Sequence, residues 1–181
     1  MSAFLFRIAA LAAIALTAAC ASSRSLDDSL SDIAGNAELK GVLFTDRAHD
    51  YSDVDITLFE GRLMLTGTMR TETGRAKLIE NAWKADGVDQ VIDEIFIGDR
   101  TSFGQGLADT RIDQTLKAKF IANDDVVSSR YKVAVSGGAI YLIGVARTDA
   151  ELKEAVELAR EIGGVKKVVS HVTVRAPIDA L

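Results

Sequence analysis

The 181-residue chain is 48% apolar and 26% charged, with a formal net charge of −5. That balance is globular and excludes disordered and collagen-like classes, and the negative charge argues against nucleic acid as a partner. One cysteine excludes an intrachain disulfide. The charge is uneven: residues 26–100 carry 8 basic and 16 acidic side chains, residues 101–181 carry 11 and 10. An anionic surface should repel the first half and tolerate the second.

Residues 1–19, MSAFLFRIAALAAIALTAA, place a basic Arg7 before an apolar run and small residues. This is the layout of an export signal. The uncharged run Ile8–Ala19 is 12 residues, shorter than the roughly 20 that span a bilayer. The signal ends at Leu16-Thr17-Ala18-Ala19-Cys20, which resembles the lipobox of bacterial lipoproteins. In those proteins the signal is cut before the cysteine, and the thiol carries diacylglycerol. The leucine usual three places before the cysteine is Thr17 here, with Leu16 one step earlier. Acyl chains on Cys20 are the expected attachment, and no other cofactor is expected. By resemblance to the enteric sorting rule, Ala21 after the cysteine implies the outer membrane, with the protein facing the periplasm.

Residues 20–26 form a lipidated tether. Residues 27–98 then read as one domain, 99–108 as a flexible linker with Gly104 and Gly106, and 109–176 as a second domain. Leu26–Phe44 is periodic at helical spacing. His49 lies in a polar loop, and with only Asp46 and Asp50 nearby it carries no metal assignment. Val54–Phe59 and Arg62–Met69 alternate apolar and polar residues, which predicts strands with one buried face each. Glu60-Gly61 between them predicts a tight hairpin turn. Thr71–Ala85 reads as a helix with an apolar stripe of Ala76, Ile79, Ala82 and Trp83, placing Trp83 in the core. Gly87 ends it, and Val88–Ile97 supplies a third strand with Ile95 and Ile97 inward. The second domain opens with the helix Asp109–Ile121, where Ile112, Leu116 and Phe120 share one face. Strands Tyr131–Ser136 and Ala139–Ala146, helix Asp149–Ile162 and strand Val165–Arg175 follow.

The second domain repeats the first. Sliding the sequence by 77 residues brings VDITLFEGRLMLTG (54–67) onto YKVAVSGGAIYLIG (131–144). Arg70-Thr71 then falls on Arg147-Thr148, Gly87-Val88 on Gly164-Val165, and Ile95 and Ile97 on Val172 and Val174. An ungapped repeat over about 45 positions means two copies of one folded unit. Each copy is near the lower size limit for an independent core, so the pair gains from packing together.

The order helix, strand, strand, helix, strand, with Gly138…Ile140-Tyr141-Leu142-Ile143-Gly144 and Gly164-Val165-Lys166-Lys167-Val168 and their first-copy counterparts, resembles the BON (bacterial OsmY and nodulation) domain. Together with the lipobox, the chain resembles the dual-BON outer-membrane lipoproteins. The resemblance implies an α+β fold of two tandem domains, each with two helices on a small mixed three-stranded sheet. It implies no catalysis, a link to envelope integrity, and binding of anionic phospholipid by the first helix of the second domain. Carried over, the binding residues are Arg111, Ile112, Lys117, Lys119 and Phe120, with Lys166 and Lys167 completing a basic rim. Lipid-binding relatives place an aromatic where Arg111 stands, so charge replaces insertion there. The enzyme class lacks support in the residues themselves: His49 and His171 are not repeat equivalents, and neither has a recognisable catalytic constellation. The alternative partner is protein: the acidic first copy, with Asp50, Asp53, Asp55, Asp93 and Glu94, fits a periplasmic adaptor for envelope proteins.

Overall fold

A computed structural model describes residue 41, residues 43–44, 48–99 and 102–175, with Phe103 described by its backbone alone. The export signal, Cys20, the tether, most of the Leu26–Phe44 helix and the end beyond Arg175 lie outside the described residues. Of that first helix, Gly41 and Leu43 are helical, and Leu43 is fully buried.

Each copy builds a three-stranded sheet. Strands β1 (Val54–Phe59), β2 (Arg62–Met69) and β3 (Gln90–Ile97) lie in the order β1-β2-β3, antiparallel then parallel. Strands β4 (Tyr131–Ser136), β5 (Ala139–Ala146) and β6 (Lys167–Val174) repeat this. The two-residue turns have positive φ at both positions: 44° and 73° at Glu60-Gly61, 62° and 84° at Gly137-Gly138. That is the turn whose twist matches a hairpin. Helix α1 (Glu72–Ala82) bridges β2 to β3, and α3 (Asp149–Arg160) bridges β5 to β6. Thr71 and Thr148 cap them by accepting from Gly74 N and Glu151 N, each at 3.1 Å, which satisfies an amide otherwise orphaned at the helix start.

The second copy's first helix, α2 (Phe103–Ala122), starts six residues earlier than expected. Phe103–Ala108 is therefore helix rather than flexible linker. Ser102 caps it through Gln105 N at 3.3 Å. One turn on, the buried Asp109 accepts from Gly137 N and Gly138 N at 2.8 Å each and from Gln105 Nε2 at 2.9 Å. The carboxylate pins the helix to the β4–β5 turn. That contact offsets the propensity cost of Gly104 and Gly106 in the helix, about 1 kcal/mol each.

Trp83 is not in the core: it is the C-cap of α1 and 55% exposed. The inward stripe is Gly74, Leu78 and Ala82, spaced four apart, with Ile79 half-buried and Ala76 exposed. Trp83 lies one residue, hence about 100°, past that stripe. Ile97 is likewise outward, and only Ile95 of the expected pair is buried.

The largest departure concerns the sheets. One buried face per strand was expected, but β5 is buried at every position and β2 at Leu63 through Gly67. Each sheet has two covers. One face packs on its helices through Leu63, Leu65, Leu78 and Ile95, or through Ile112, Leu116, Ile140 and Leu142. The opposite faces pack on each other through Met64, Ile92, Ala134, Ala139, Tyr141 and Ile143. Met64 and Tyr141 are counterparts at the 77-residue offset. Glu94 and His171 are counterparts too, and they bond to each other at 2.9 Å. A residue that touches its own counterpart lies on the axis relating the copies. The contact is therefore isologous in pattern, as in a two-fold dimer, within one chain. Arg62 fastens it, donating to the carbonyls of His171 at 2.7 Å and Gly144 at 2.9 Å.

Gly67 and Gly144 take positive φ, 116° and 158°. The close neighbour at each is the backbone leading into the adjacent strand: an added Cβ would lie 2.0 Å from the carbonyl oxygen of Asp53, just before β1, or 2.1 Å from that of Arg130, the end of a 3-10 turn just before β4.

Candidate functional site

The expected lipid-binding residues divide by the geometry of α2. Ile112 and Phe120 are 3% and 2% exposed and belong to the second core with Leu116. They hold the helix on the sheet and cannot reach a bilayer from the folded domain. Arg111 is exposed, and no ion pair engages its guanidinium among the described residues. Lys117 pairs with Asp113 at 2.8 Å, and Lys119 pairs with Glu161 at 2.8 Å. Both are surface pairs of the kind worth about 0–1 kcal/mol, so either lysine can exchange its carboxylate for a phosphate. Lys166 donates to the Gly137 carbonyl at 2.8 Å, beside the turn that Asp109 holds. Lys167 is exposed at the start of β6. The structure thus gathers Lys166, Lys167 and the first half of α2 around the β4–β5 turn, while Lys117 and Lys119 lie along the second half.

Sequence reasoning missed the exposed apolar residues of this helix. Leu107 is 57% exposed and Ile121 is 76% exposed. They are fourteen residues apart, four helical turns and about 21 Å, on the same outer ridge. Between them the ridge carries Thr110, Arg111, Gln114, Thr115 and Ala118, and no acidic side chain. The acidic residues of α2 lie elsewhere: Asp109 is buried and Asp113 sits on the flank. The signal was available, since Leu107 and Ile121 fall out of step with Ile112, Leu116 and Phe120. Seeing it required starting the helix at Phe103.

Elsewhere in the second domain, Glu151 is 4% exposed and accepts from Val127 N (3.0 Å), Arg147 N (2.9 Å) and Arg147 Nε (2.8 Å). Burial alone would raise its pKa, but the Arg147 and Val127 hydrogen bonds outweigh that and hold the carboxyl below its ordinary value. The pair locks the loop before β4 to the start of α3. The first copy replaces this carboxylate with Gly74, against which the His49 ring packs: a Cβ there would lie 2.8 Å from His49 Cδ2. Among the described residues, no group of three or more His, Cys, Asp or Glu could hold a metal. Nor is any described helix long and apolar enough to cross a membrane.

The profile of the BON domain matches the chain twice, over residues 35–99 and 108–176. The chain is 30% identical over 126 residues to an uncharacterised protein of Anaplasma centrale, a match covering 69% of this chain and 83% of that one. It is 30% identical over 116 residues to a 21 kDa hemolysin of Actinobacillus pleuropneumoniae, covering 64% of this chain and 59% of that protein. It is 27% identical over 116 residues to the outer membrane lipoprotein DolP of Haemophilus influenzae, covering 64% and 60%. The last two matches therefore span about three fifths of those relatives' lengths. Two domain matches in register with two copies of one mixed sheet settle the family: the chain belongs to the BON domain family and carries two BON domains in tandem.

Proposed function

We propose that this chain is a non-catalytic lipoprotein of the bacterial envelope, held in the outer membrane through acyl chains on Cys20 and facing the periplasm. In this reading its second BON domain engages anionic phospholipid through the outer ridge of α2 and supports envelope integrity. The similarity to an outer membrane lipoprotein supports the location. The carrying observation is the ridge itself, with Leu107 and Ile121 exposed at either end of Arg111, which no ion pair engages among the described residues, and no carboxylate on the ridge between them.

The chemistry is interfacial. Fully burying a leucine or isoleucine contributes roughly 1.5–3 kcal/mol. Each cation near an anionic leaflet contributes on the order of 1 kcal/mol. Two partly exposed apolar side chains with Arg111 and the redirected Lys117 and Lys119 give a weak, salt-sensitive contact. Weak contact suffices for an anchored protein, because the anchor raises the local concentration of the membrane surface. Ile112 and Phe120 act indirectly, by fixing which face of α2 points outward.

Co-flotation of residues 21–181 with vesicles tests the reading without the acyl anchor. Flotation with anionic but not neutral vesicles, reduced by salt and abolished by Arg111→Glu, is the expected result. Flotation that ignores both lipid charge and Arg111→Glu would reject the ridge as the contact.

A further inference from the structure

A groove runs where the two domains meet, between β1 of the first and α2 with β4 of the second. It has two adjoining lobes of about 460 and 420 Å³, which share Ile56, Thr57, Lys117 and Val133. One lobe is acidic, lined by Asp53 and Asp55 and by Asp113, with which Lys117 pairs at 2.8 Å. The other is more apolar, lined by Leu58, Ile121 and Tyr131.

The walls include open sheet edges. β1 and β4 are each the outer strand of their sheet. The two-residue turn at Glu60-Gly61 makes Phe59 and Arg62 the first bonded pair, so Asp55, Thr57 and Phe59 direct their amides to β2. The Thr68 N–H bond to Asp53 O, 3.1 Å, fixes the same phase. The main-chain groups of Ile56 and Leu58 therefore point to the open edge, and no other described strand pairs with it. By the same count Val133 and Val135 are the outward positions of β4. An edge of this kind is a template for another extended chain.

We propose that this groove binds an extended polypeptide segment that adds to the β1 edge, with basic side chains at its acidic lobe and apolar side chains at its apolar lobe. Main-chain bonding to Ile56 and Leu58 selects an extended backbone, and Asp53 and Asp55 select the positive end. An anionic lipid headgroup is the wrong charge for that lobe. A second copy of this chain is a poor fit as well, since its own β1 would bring another Asp55 to the acidic wall.

The test uses the full chain in nonionic detergent micelles and a fluorescein-labelled peptide of about eight residues, the length of an ordinary strand. The peptide alternates valine and threonine and carries two lysines at one end. Its comparators are the same peptide with two glutamates in place of the lysines, and two versions N-methylated at every second residue, one for each phase. Saturable anisotropy with the lysine probe is expected, at least about tenfold weaker with the glutamate probe, a 1.4 kcal/mol difference. One N-methylated phase should lose binding and the other keep it, because only alternate amides face β1. Asp55→Lys, with an unchanged circular dichroism spectrum, should weaken the lysine probe at least about tenfold. Absence of saturable lysine-probe binding would overturn the proposal, as would equal binding of both N-methylated phases. Displacement of the lysine probe by the soluble anionic headgroup glycerophosphoglycerol would assign the groove to lipid, and displacement of the probe by self-association would assign it to a second copy; either overturns it too.

Discussion

Replacing Glu151 with Gln removes one oxygen acceptor from a site where three N–H groups converge at 2.8–3.0 Å. A glutamine presents one carbonyl oxygen and one amide, and the amide faces donors. At least one buried N–H is left without an acceptor, about 1–3 kcal/mol, and Arg147 loses its charged partner. The expected loss is about 2–4 kcal/mol. For a domain of this size each kcal/mol shifts the midpoint by about 4–8 °C, so the second domain should melt roughly 8–32 °C lower. The variant also carries a pH signature. Glu151 has its folded pKa below the ordinary 4.5. Its stabilisation is therefore present above that value and is lost as pH falls through the lower folded one. Glu151→Gln lacks this term at every pH, so the gap from the parent should be full well above 4.5 and narrow as pH falls below it. Calorimetry at several pH values reads both quantities. A loss under about 0.5 kcal/mol, or a gap that does not narrow in acid, would refute the claim that this carboxylate holds the loop as an ion.

Tyr141 is fully buried between the domains, its hydroxyl has no hydrogen-bond partner among the described residues, and burial, then the charge of Glu94, pushes its pKa up. Tyr141→Phe should leave stability unchanged or raise it by about 1 kcal/mol in denaturant unfolding. Gly144→Ala should cost more than about 3 kcal/mol, because its Cβ would meet the Arg130 carbonyl oxygen at 2.1 Å. Trp83→Ala should change stability by less than about 1 kcal/mol, and Trp83 fluorescence should show water-like emission in the folded protein. Lys117→Glu with Lys119→Glu should weaken vesicle flotation less than Arg111→Glu does, because both lysines already face carboxylates.

Much of the fold is legible in the sequence because the repeat supplies each pattern twice. The hairpins follow from Glu60-Gly61 and Gly137-Gly138, and the order of elements along the chain follows from the alternation and the Gly-Val before each third strand, while the mixed sheet is what the BON resemblance implies. The pairing of the two sheets was harder to see. In AIYLIGVA the apolar residues are continuous rather than alternating, which is the mark of a strand covered on both faces. The single buried face read from Val54–Phe59 and Arg62–Met69 leaves no role for the second face on which Tyr141 and Ile143 lie. The counterpart, LMLTG, carries the same signal weakly because Thr66 interrupts it. Trp83 was misplaced by hydrophobicity alone, although Leu78 and Ala82 continue the better stripe.

The proposed surface was half legible. Its helix is marked by basic residues, but Ile112 and Phe120 serve the core, while Leu107 and Ile121 face outward. Glycines near the start hid the first two turns. Gly104 and Gly106 read as linker until the tertiary contact from Asp109 to the Gly137-Gly138 turn is known.

A label at the end of the ridge tests the central claim most directly. Residues 21–181 contain no cysteine, so Ile121→Cys and Trp83→Cys each accept one environment-sensitive fluorophore. With anionic vesicles the label at 121 should shift to blue emission and become protected from an aqueous quencher, while the label at 83 stays in water. Equal behaviour of the two labels, or a label at 121 that remains in water while the protein floats with the vesicles, would contradict the account.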